Sequence, residues 1–287
     1  MSEARIGVIG GTGLYQMDGL QSAEEIFPDT PFGKPSDAIV TGTLDGVGVS
    51  FLPRHGKGHR FSPSEIPARA NIYALKALGV QRIISVSAVG SLREDIRPLD
   101  MVIPDQIIDR TRSRASTFFG DGIVAHVGFA EPFCPYMTEI LHSGAEKMGA
   151  RVHSQGTYVV MEGPQFSTKA ESHLYRSWGA DVIGMTALPE AKLAREAEIC
   201  YSMLACSTDY DCWQESEVPV TVEMVVGNLN KNIALSKAIL GDVIPRLSEQ
   251  RSCSCGSSLE NTIITAGEVI PPEARERLAL LVDKYLL

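Results

Sequence analysis

Residues 199–213, with the sequence ICYSMLACSTDYDCW, decide the fold class. The first half is an apolar run, which predicts a buried strand. Asp209 and Asp211 follow that strand, at the position where an open α/β sheet binds its ligands. A buried carboxylate needs a partner or a raised pKa, so both residues are candidates for function. An N-cap Asp that opens a helix beside a solvated neighbour is the alternative interpretation.

Strands and helices alternate on both sides of this segment. Residues 38–44 and 47–53 flank Asp45-Gly46, a pattern typical of a hairpin. Apolar runs predict further strands over residues 5–9, 82–88, 100–107, 157–161 and 181–185, and helical spacing predicts helices over residues 64–79, 138–148, 169–178, 190–198, 222–249 and 271–286. The helix over 222–249 is either continuous or a broken pair. We therefore predict a single α/β domain over residues 1–287, with a mixed central β-sheet flanked by helices and a C-terminal Cys-x-Cys loop and helix at about 251–287.

Composition and charge exclude several classes of function. The chain has 287 residues, 44% of them hydrophobic, which is enough for a sizeable core. A net charge of −9 argues against nucleic acid as a partner, whereas the basic cluster at residues 54–60 favours a small anion. The N-terminus has no signal-peptide pattern, and no apolar run approaches the ~20 residues that span a bilayer. We expect a cytoplasmic protein with no membrane partner.

The six cysteines do not have the spacing of a common metal site. They include no CxxC pair, and Cys253-Ser254-Cys255 is too tight for a zinc finger. We expect reduced, mostly buried thiols and no metal. A bridge between Cys253 and Cys255, structural or redox-active, remains open.

Polar side chains recur where the predicted strands end. Hydroxyls, carboxylates or a guanidinium follow five of them, a convergence that indicates a binding site at the sheet edge. The glycines at residues 10–13 allow backbone N–H groups to hold an anion, but the third glycine of a dinucleotide fingerprint is missing. This absence argues against a nicotinamide-dependent dehydrogenase. The segments concerned are Gly10-Gly11-Thr12-Gly13, Pro53-Arg54-His55-Gly56, residues 85–91, residues 161–167 and Met185-Thr186.

These motifs, in this order, resemble the nucleoside phosphorylase family. Residues 10–13, 31–37, 54–56 and 90–94 carry the general resemblance. Residues 131–135, 162–167 and 208–213 are similar to the branch of the family that contains the S-methyl-5′-thioadenosine phosphorylases. The resemblance covers roughly residues 5–250, and the C-terminal part resembles only some microbial members.

The resemblance implies cleavage of methylthioadenosine by phosphate to adenine and 5-methylthioribose 1-phosphate, a reaction of methionine and purine salvage. Phosphate is a co-substrate, no cofactor or metal is expected, and the family assembles as trimers or dimers of trimers. The implied phosphate ligands are Thr12, Arg54, His55, Ser87, Ala88 and Thr186. The implied catalytic pair is Asp209 and Asp211. The implied substrate contacts are the same two residues together with Met185, Phe166, Tyr210 and a neighbouring subunit's His126. The implied specificity residues are Ser167, Val222, Val225 and Val226.

The residue at position 209 bears on the choice of base. Adenine offers an acceptor at N7 and donors at its 6-amino group, and a protonated Asp209 offers the complementary O–H and carbonyl. A 6-oxopurine offers acceptors at both positions, which suits Asn better. The alternative within the family is a broad purine nucleoside phosphorylase that acts on inosine, guanosine and adenosine. A catalytically silent nucleoside-binding protein is a third reading, against which Arg54, Asp209 and Asp211 argue.

Overall fold

A computed structural model describes residues 5–11, 13–14, 17, 19–214, 221–247 and 251–286. It confirms the α/β class: a mixed sheet of 11 strands lies among helices. Within these residues, no helix combines the length and the apolar character that crossing a membrane requires. The strands are β1 Ile6–Gly10, β2 Gln21–Ile26, β3 Ile39–Leu44, β4 Val47–Pro53, β5 Arg82–Ser91, β6 Met101–Val102, β7 Gln106–Arg110, β8 Val152–His153, β9 Thr157–Met161, β10 Val182–Gly184 and β11 Cys200–Asp209. The helices are α1 Ala68–Ala77, α2 Pro135–Lys147, α3 Lys169–Ser177, α4 Glu190–Glu196, α5 Val222–Arg246 and α6 Pro272–Val282.

The centre of the sheet is a parallel group of strands. β4, β1, β5 and β11 lie side by side in that order and run in the same direction. Every residue of β11 is buried, because helices cover both faces of the central strands. A strand buried on both faces reads as a continuous apolar run, which explains why residues 199–206 predicted it. The carboxyl ends of the parallel strands therefore meet at one edge of the sheet.

On the side of β5 opposite β11, and beyond the end of β1, the sheet continues with strands that run in the opposite direction. β10 runs antiparallel to β5, with Val182 opposite Ser91 and Ile183 opposite Gly90. The residues that follow β10 therefore run back alongside the end of β5 rather than past it. This arrangement brings Met185 and Thr186 beside β5, although β10 itself ends in the opposite direction.

The main differences between the predicted and the observed elements concern the strands. The strand predicted over 100–107 is two strands, β6 and β7, since Pro104 has no N–H for a continuous ladder. β5 continues three residues past Ala88, to Ser91, so its site residues lie inside the strand. β2 was not predicted, because it is an exposed edge strand with the polar sequence QSAEEI.

Candidate active site

The last residues of β5 and β11 form the floor of the candidate site. Asp209 lies opposite Gly90, after an irregularity in the ladder that begins at Ser207. A Cβ added at Gly90 would lie 3.0 Å from Asp209 Oδ1 and 3.3 Å from Asp211 Cβ. Gly90 therefore lets two acidic side chains approach the backbone of the neighbouring strand.

Asp209 is buried and receives two hydrogen bonds. The residue is only 8% exposed. Oδ1 accepts from the backbone N–H of Asp211 at 2.8 Å, and Oδ2 lies 2.7 Å from the Thr208 hydroxyl. The carboxyl group is thus held in one orientation before any ligand arrives.

The hydroxyl of Thr208 constrains where the proton lies. Its Oγ1 is 3.2 Å from the carbonyl of Val89, which can only accept, and 2.7 Å from Asp209 Oδ2. A hydroxyl has one hydrogen to donate. If Asp209 is protonated on Oδ2 and donates to Thr208, the hydroxyl is free to donate to Val89, and both contacts become hydrogen bonds. The same geometry accommodates the ionised acid, to which Thr208 donates, and the neutral acid, which donates to Thr208.

Asp211 supports its neighbour through both backbone and side chain. It has a positive φ of 51°, a conformation that Asp tolerates better than most residues and that directs its N–H toward Asp209. Its carboxylate oxygens each lie 3.1 Å from the Ser167 hydroxyl. The structure therefore joins residues from two separate motifs: Asp209 at the end of β11 and Asp211 just after it, and Ser167 after β9.

Both carboxyl groups have a raised pKa. For Asp209 the main cause is burial, which the hydrogen bonds from Thr208 and from the Asp211 backbone partly offset; the negative charge of Asp211 raises the pKa further. Burial also raises the pKa of Asp211, against the hydrogen bond from Ser167. A raised pKa favours the protonated form of a carboxyl group, which is the form that a general acid requires.

A second cluster, of hydroxyl groups, lies beside the first. Thr186 Oγ1 donates to Ser87 Oγ at 2.9 Å, and the Tyr158 hydroxyl lies 3.1 Å from Thr186 Oγ1. Ala88 follows in the same strand and is partly exposed. Hydroxyl groups suit the oxygens of an oxyanion, since each can donate a hydrogen bond.

Arg54 lies behind the hydroxyl cluster in a buried ion pair. The residue is 2% exposed, and its Nε donates to Glu190 Oε1 at 2.5 Å. Nη1 donates to the Val86 carbonyl at 3.0 Å, and Nη2 contacts Ser85 Oγ, the Ile9 carbonyl and Glu190 Oε2. These bonds use four of the five N–H groups of the guanidinium. Within the described residues, one hydrogen on Nη1 is left for an anion.

His55 is neutral in this environment. Burial lowers its pKa to about 4, and the nearby Arg54 and His59 contribute, against a hydrogen bond with the Phe61 carbonyl. Nδ1 lies 2.9 Å from that carbonyl, so Nδ1 carries the proton and Nε2 is an acceptor. The ring also stacks on His59, with centroids 4.1 Å apart. A neutral imidazole can accept a hydrogen bond from a protonated phosphate oxygen.

Other predicted residues lie at the margin of these clusters. Met185 packs against Gly163, where an added Cβ would be 2.5 Å from its sulfur atom. The Tyr210 hydroxyl donates to the Glu94 carbonyl, and Phe166 is half-exposed. His126 is exposed and its backbone N–H donates to the Thr262 carbonyl.

The predicted apolar residues lie in the first turns of α5. Val222 is 65% exposed and Val226 is 47% exposed, whereas Val225 is half-buried. Exposed valines at the start of a helix leave an apolar surface that a ligand can cover. Thr12 lies outside the described residues.

Three residues of this region escaped sequence reasoning. The sequence predicts Glu190 only as the start of a helix, and nothing local distinguishes its buried carboxylate. The hydroxyl directly before Asp209 is the only local signal for Thr208. Arg114 donates to the carbonyls of Met161, Glu162, Met185 and Leu188 and so binds the ends of β9 and β10 together. The alternating arginines at 110, 112 and 114 are the corresponding signal for Arg114.

Comparison of the sequence with known proteins gives matches over nearly the whole chain. The model of the phosphorylase superfamily matches residues 5–245. The S-methyl-5′-thioadenosine phosphorylase of Geobacter sulfurreducens is 56% identical over 285 residues, which cover 99% of this chain and 100% of that protein. The enzyme of the same name from Synechocystis is 55% identical over 289 residues, 99% of this chain and 89% of that protein.

Solved structures agree with these sequence matches. The crystal structure of a methylthioadenosine phosphorylase from an Antarctic soil metagenomic library has a TM-score of 0.94 at 51% identity and covers 98% of this chain and 100% of that chain. A mutant of the adenosine/methylthioadenosine phosphorylase from Schistosoma mansoni, in complex with methylthioadenosine, has a TM-score of 0.79 at 34% identity, with 98% of each chain covered.

Proposed function

This chain belongs to the phosphorylase superfamily, and we propose that its site cleaves S-methyl-5′-thioadenosine with inorganic phosphate. The products are adenine and 5-methylthioribose 1-phosphate, which places the chain among the pentosyltransferases of nucleoside salvage. The observation that carries the proposal is the buried Asp209 at the sheet edge, held by Thr208 and the Asp211 backbone, where burial raises its pKa and so favours the protonated form. The relatives that match the full length of the chain and bear the same activity in their names support it.

Asp209 is the general acid. Cleavage of the bond between the ribosyl C1′ and the purine N9 builds negative charge on the base, and protonation at N7 neutralises it. Asp209 donates its proton to N7 while its other oxygen accepts from the 6-amino group. Once the proton has left, the Thr208 hydroxyl rotates to donate to Oδ2, at a separation of 2.7 Å. Asp211 acts as the positioning partner and, with Ser167 and Tyr210, surrounds the base.

The hydroxyl cluster binds phosphate. Ser87, Thr186 and the backbone at Ala88 supply neutral donors, and His55 accepts from a protonated phosphate oxygen. Arg54 contributes its remaining N–H, but Glu190 offsets most of its charge. Phosphate therefore keeps negative charge with which to stabilise the positive ribosyl ring during displacement at C1′. The family resemblance adds Thr12 as a phosphate ligand, although this residue lies outside the described residues.

The sugar and its 5′ substituent lie between the two clusters. Met185 lies under the ribose. Phe166 lies beside the nucleoside, which on binding would cover its half-exposed ring. Val222, Val225 and Val226 form the apolar pocket for the methylthio group. His126 reaches the ligand from a neighbouring subunit, in a homotrimer or a dimer of trimers.

We propose that the reaction needs no metal or organic cofactor, because Asp209 supplies the acid and phosphate the nucleophile. The partners are therefore small molecules and further copies of the chain. We also propose that the enzyme is cytoplasmic.

A panel of nucleosides tests this proposal. Purified protein is incubated with methylthioadenosine, adenosine or inosine, with and without phosphate, and the free base is measured by chromatography. We expect phosphate-dependent release of adenine, fastest from methylthioadenosine, and little hypoxanthine from inosine. Inosine cleavage at a comparable rate would identify a broad purine nucleoside phosphorylase, and release without phosphate would reject phosphorolysis.

The valine pocket has its own test. Val222→Asp places a charge where a thioether should bind, so KM for methylthioadenosine should rise about tenfold more than KM for adenosine. Equal losses for both substrates would remove Val222 from the pocket. Val269→Asp is a suitable control, since Val269 is 64% exposed and lies in the C-terminal segment.

A further inference from the structure

Four cysteines from three distant parts of the chain meet in one place. Cys134, Cys200, Cys253 and Cys255 bring their Sγ atoms within 4.8 Å of one another. Three of them are buried, and Cys253 is half-buried. Cys134 caps the N-terminus of α2, Cys200 begins β11, and the other two lie at the start of the short 3-10 helix Ser254–Ser257. Local spacing in the sequence could not reveal this cluster.

We propose that these four thiolates bind a structural zinc ion. Zinc prefers four ligands in a tetrahedron with Zn–S bonds of about 2.3 Å, which puts neighbouring sulfur atoms about 3.8 Å apart. The observed limit of 4.8 Å, with Cys200 Sγ and Cys253 Sγ 3.3 Å apart, brackets that spacing. Four soft thiolate ligands in a tetrahedral arrangement select zinc over the harder divalent cations.

The surroundings of the cluster suit the charge of such a site. Four thiolates and one divalent ion carry a net charge of −2, which nearby positive groups stabilise. The N-terminus of α2 presents its dipole at Cys134. The Arg251 guanidinium lies against Gly256, directly after Cys255, and donates to a backbone carbonyl at Glu198.

Zinc in this position would fasten the C-terminal segment to the body of the sheet. After Cys255 the chain pairs with the loop around residue 125, through a bridge between Ala125 and Ile263 and a hydrogen bond from His126 N–H to the Thr262 carbonyl. All four positions of the tetrahedron come from the protein, which is characteristic of structural rather than catalytic zinc. The ion therefore acts on stability.

The cluster is separate from the nucleoside site. Cys200 and Asp209 are the first and last residues of β11, nine residues apart and so about 30 Å apart along the strand. The zinc proposal stands or falls independently of the proposed reaction.

Metal analysis of the whole protein tests the inference. The chain is expressed in zinc-supplemented medium and purified with a thiol reductant but no chelator, and zinc is measured by mass spectrometry. We expect about one zinc per chain. Replacement by Co²⁺ should give the strong visible bands of a tetrahedral tetrathiolate, a result that needs no variant. Cys253→Ser should lose the zinc, whereas Cys206→Ser, a buried cysteine outside the cluster that contacts Ser236, should keep it.

Two results would overturn the inference. The first is a protein that, purified without reductant, is metal-free and on denaturation under non-reducing conditions has only two of its six cysteines titratable, since two disulfides would then occupy the cluster. The second is a metal-free protein with all six thiols free. If Cys253→Ser fails to fold, the zinc content and cobalt spectrum of the unmodified protein still decide the question. Removal of zinc by a chelator should lower the melting temperature and leave phosphorolysis at low temperature unchanged.

Discussion

Two groups of buried charge lie at the same sheet edge and are treated in opposite ways. Arg54 and Glu190 neutralise one another: burial alone would raise the pKa of Glu190, but the guanidinium brings it below its ordinary value. Asp209 and Asp211 have only hydroxyl and backbone donors as the hydrogen-bond partners described above, and burial raises the pKa of both. Arg54 and Glu190 therefore stay charged, whereas burial favours protonation of Asp209 and Asp211.

The difference separates what stabilises the site from what reacts in it. A buried ion pair is costly to break, because either partner alone leaves an uncompensated charge. A buried carboxyl group held neutral costs stability as soon as it ionises. Substitutions in the first group should therefore affect folding, and substitutions in the second should affect turnover.

The largest effect should come from Glu190→Ala. Removal of the carboxylate leaves the Arg54 guanidinium buried without its partner, which should lower the free energy of unfolding by about 3–5 kcal/mol. Urea denaturation measures it. The matched control is Glu25→Ala, which breaks the exposed pair between Glu25 and Lys57 and should cost at most about 1 kcal/mol. Similar losses in both variants would mean that burial does not govern the pair.

Asp209→Asn should reverse this pattern. An amide of the same size cannot supply the proton, so turnover of methylthioadenosine should fall about 100-fold, or about 2.7 kcal/mol in the barrier. Because the pKa of Asp209 is higher in the folded than in the unfolded protein, its contribution to the free energy of unfolding is fully present below the unfolded-state pKa near 4. That contribution is lost as the pH rises through the folded-state pKa. The variant lacks that decline and should be at least as stable as the parent at neutral pH.

Steady-state kinetics and denaturation at about pH 4 and at neutral pH check both halves of this expectation. Unchanged turnover would reject Asp209 as the acid. A variant less stable than the parent at neutral pH alone would contradict the raised pKa.

Ser167→Ala should have a smaller effect. It removes the hydroxyl that donates to Asp211 and should cost about 1 kcal/mol in stability, with a loss of a few-fold in turnover. Ser62→Ala removes a similar hydroxyl from the exposed carboxylate of Glu65 and should stay within about 0.5 kcal/mol. Equal effects would show that Asp211 does not depend on its buried setting.

The smallest effect at neutral pH concerns His55. Its pKa is lowered to about 4 in the folded state, so the stability it contributes is present above the unfolded value near 6.5 and is lost as the pH falls toward 4. Stability should therefore decline over that window, and less steeply in His55→Asn. His59→Asn removes only a minor contributor to the lowered pKa of His55, so its profile should lie between those of the parent and His55→Asn. Identical slopes in all three proteins would contradict a neutral, buried His55.

The sequence predicted the secondary structure of this protein better than its long-range side-chain contacts. β9 and the hairpin of β3 and β4 lie where apolar runs and the Asp45-Gly46 turn predicted them, since local pattern decides such elements. The order of the phosphorylase motifs along the chain is specific enough to predict the site residues. The position of Asp209 at the end of a predicted strand indicates that its side chain lies at the edge of the sheet where ligands bind.

Long-range pairing was beyond sequence reasoning. The contact between Arg54 and Glu190 joins residues 136 apart, and no local pattern marks either as the partner of the other. The four clustered cysteines were interpreted by spacing alone, and the fold, rather than the spacing, brings them together. β2 was missed because an exposed edge strand has no apolar face to reveal it.

Helix α5 has a consequence for anyone who designs an inhibitor of this protein. Asn228 donates to the Thr208 carbonyl at 2.6 Å, and Asn232 donates to the Ser207 carbonyl at 3.4 Å, so the helix is fastened to the strand end that carries the acid. Val222, the first residue of the same helix, precedes Asn228 by less than two turns. A bulky group that displaces those first turns will shift the acid as well, so the 5′ end of an inhibitor offers a handle on proton transfer to the base.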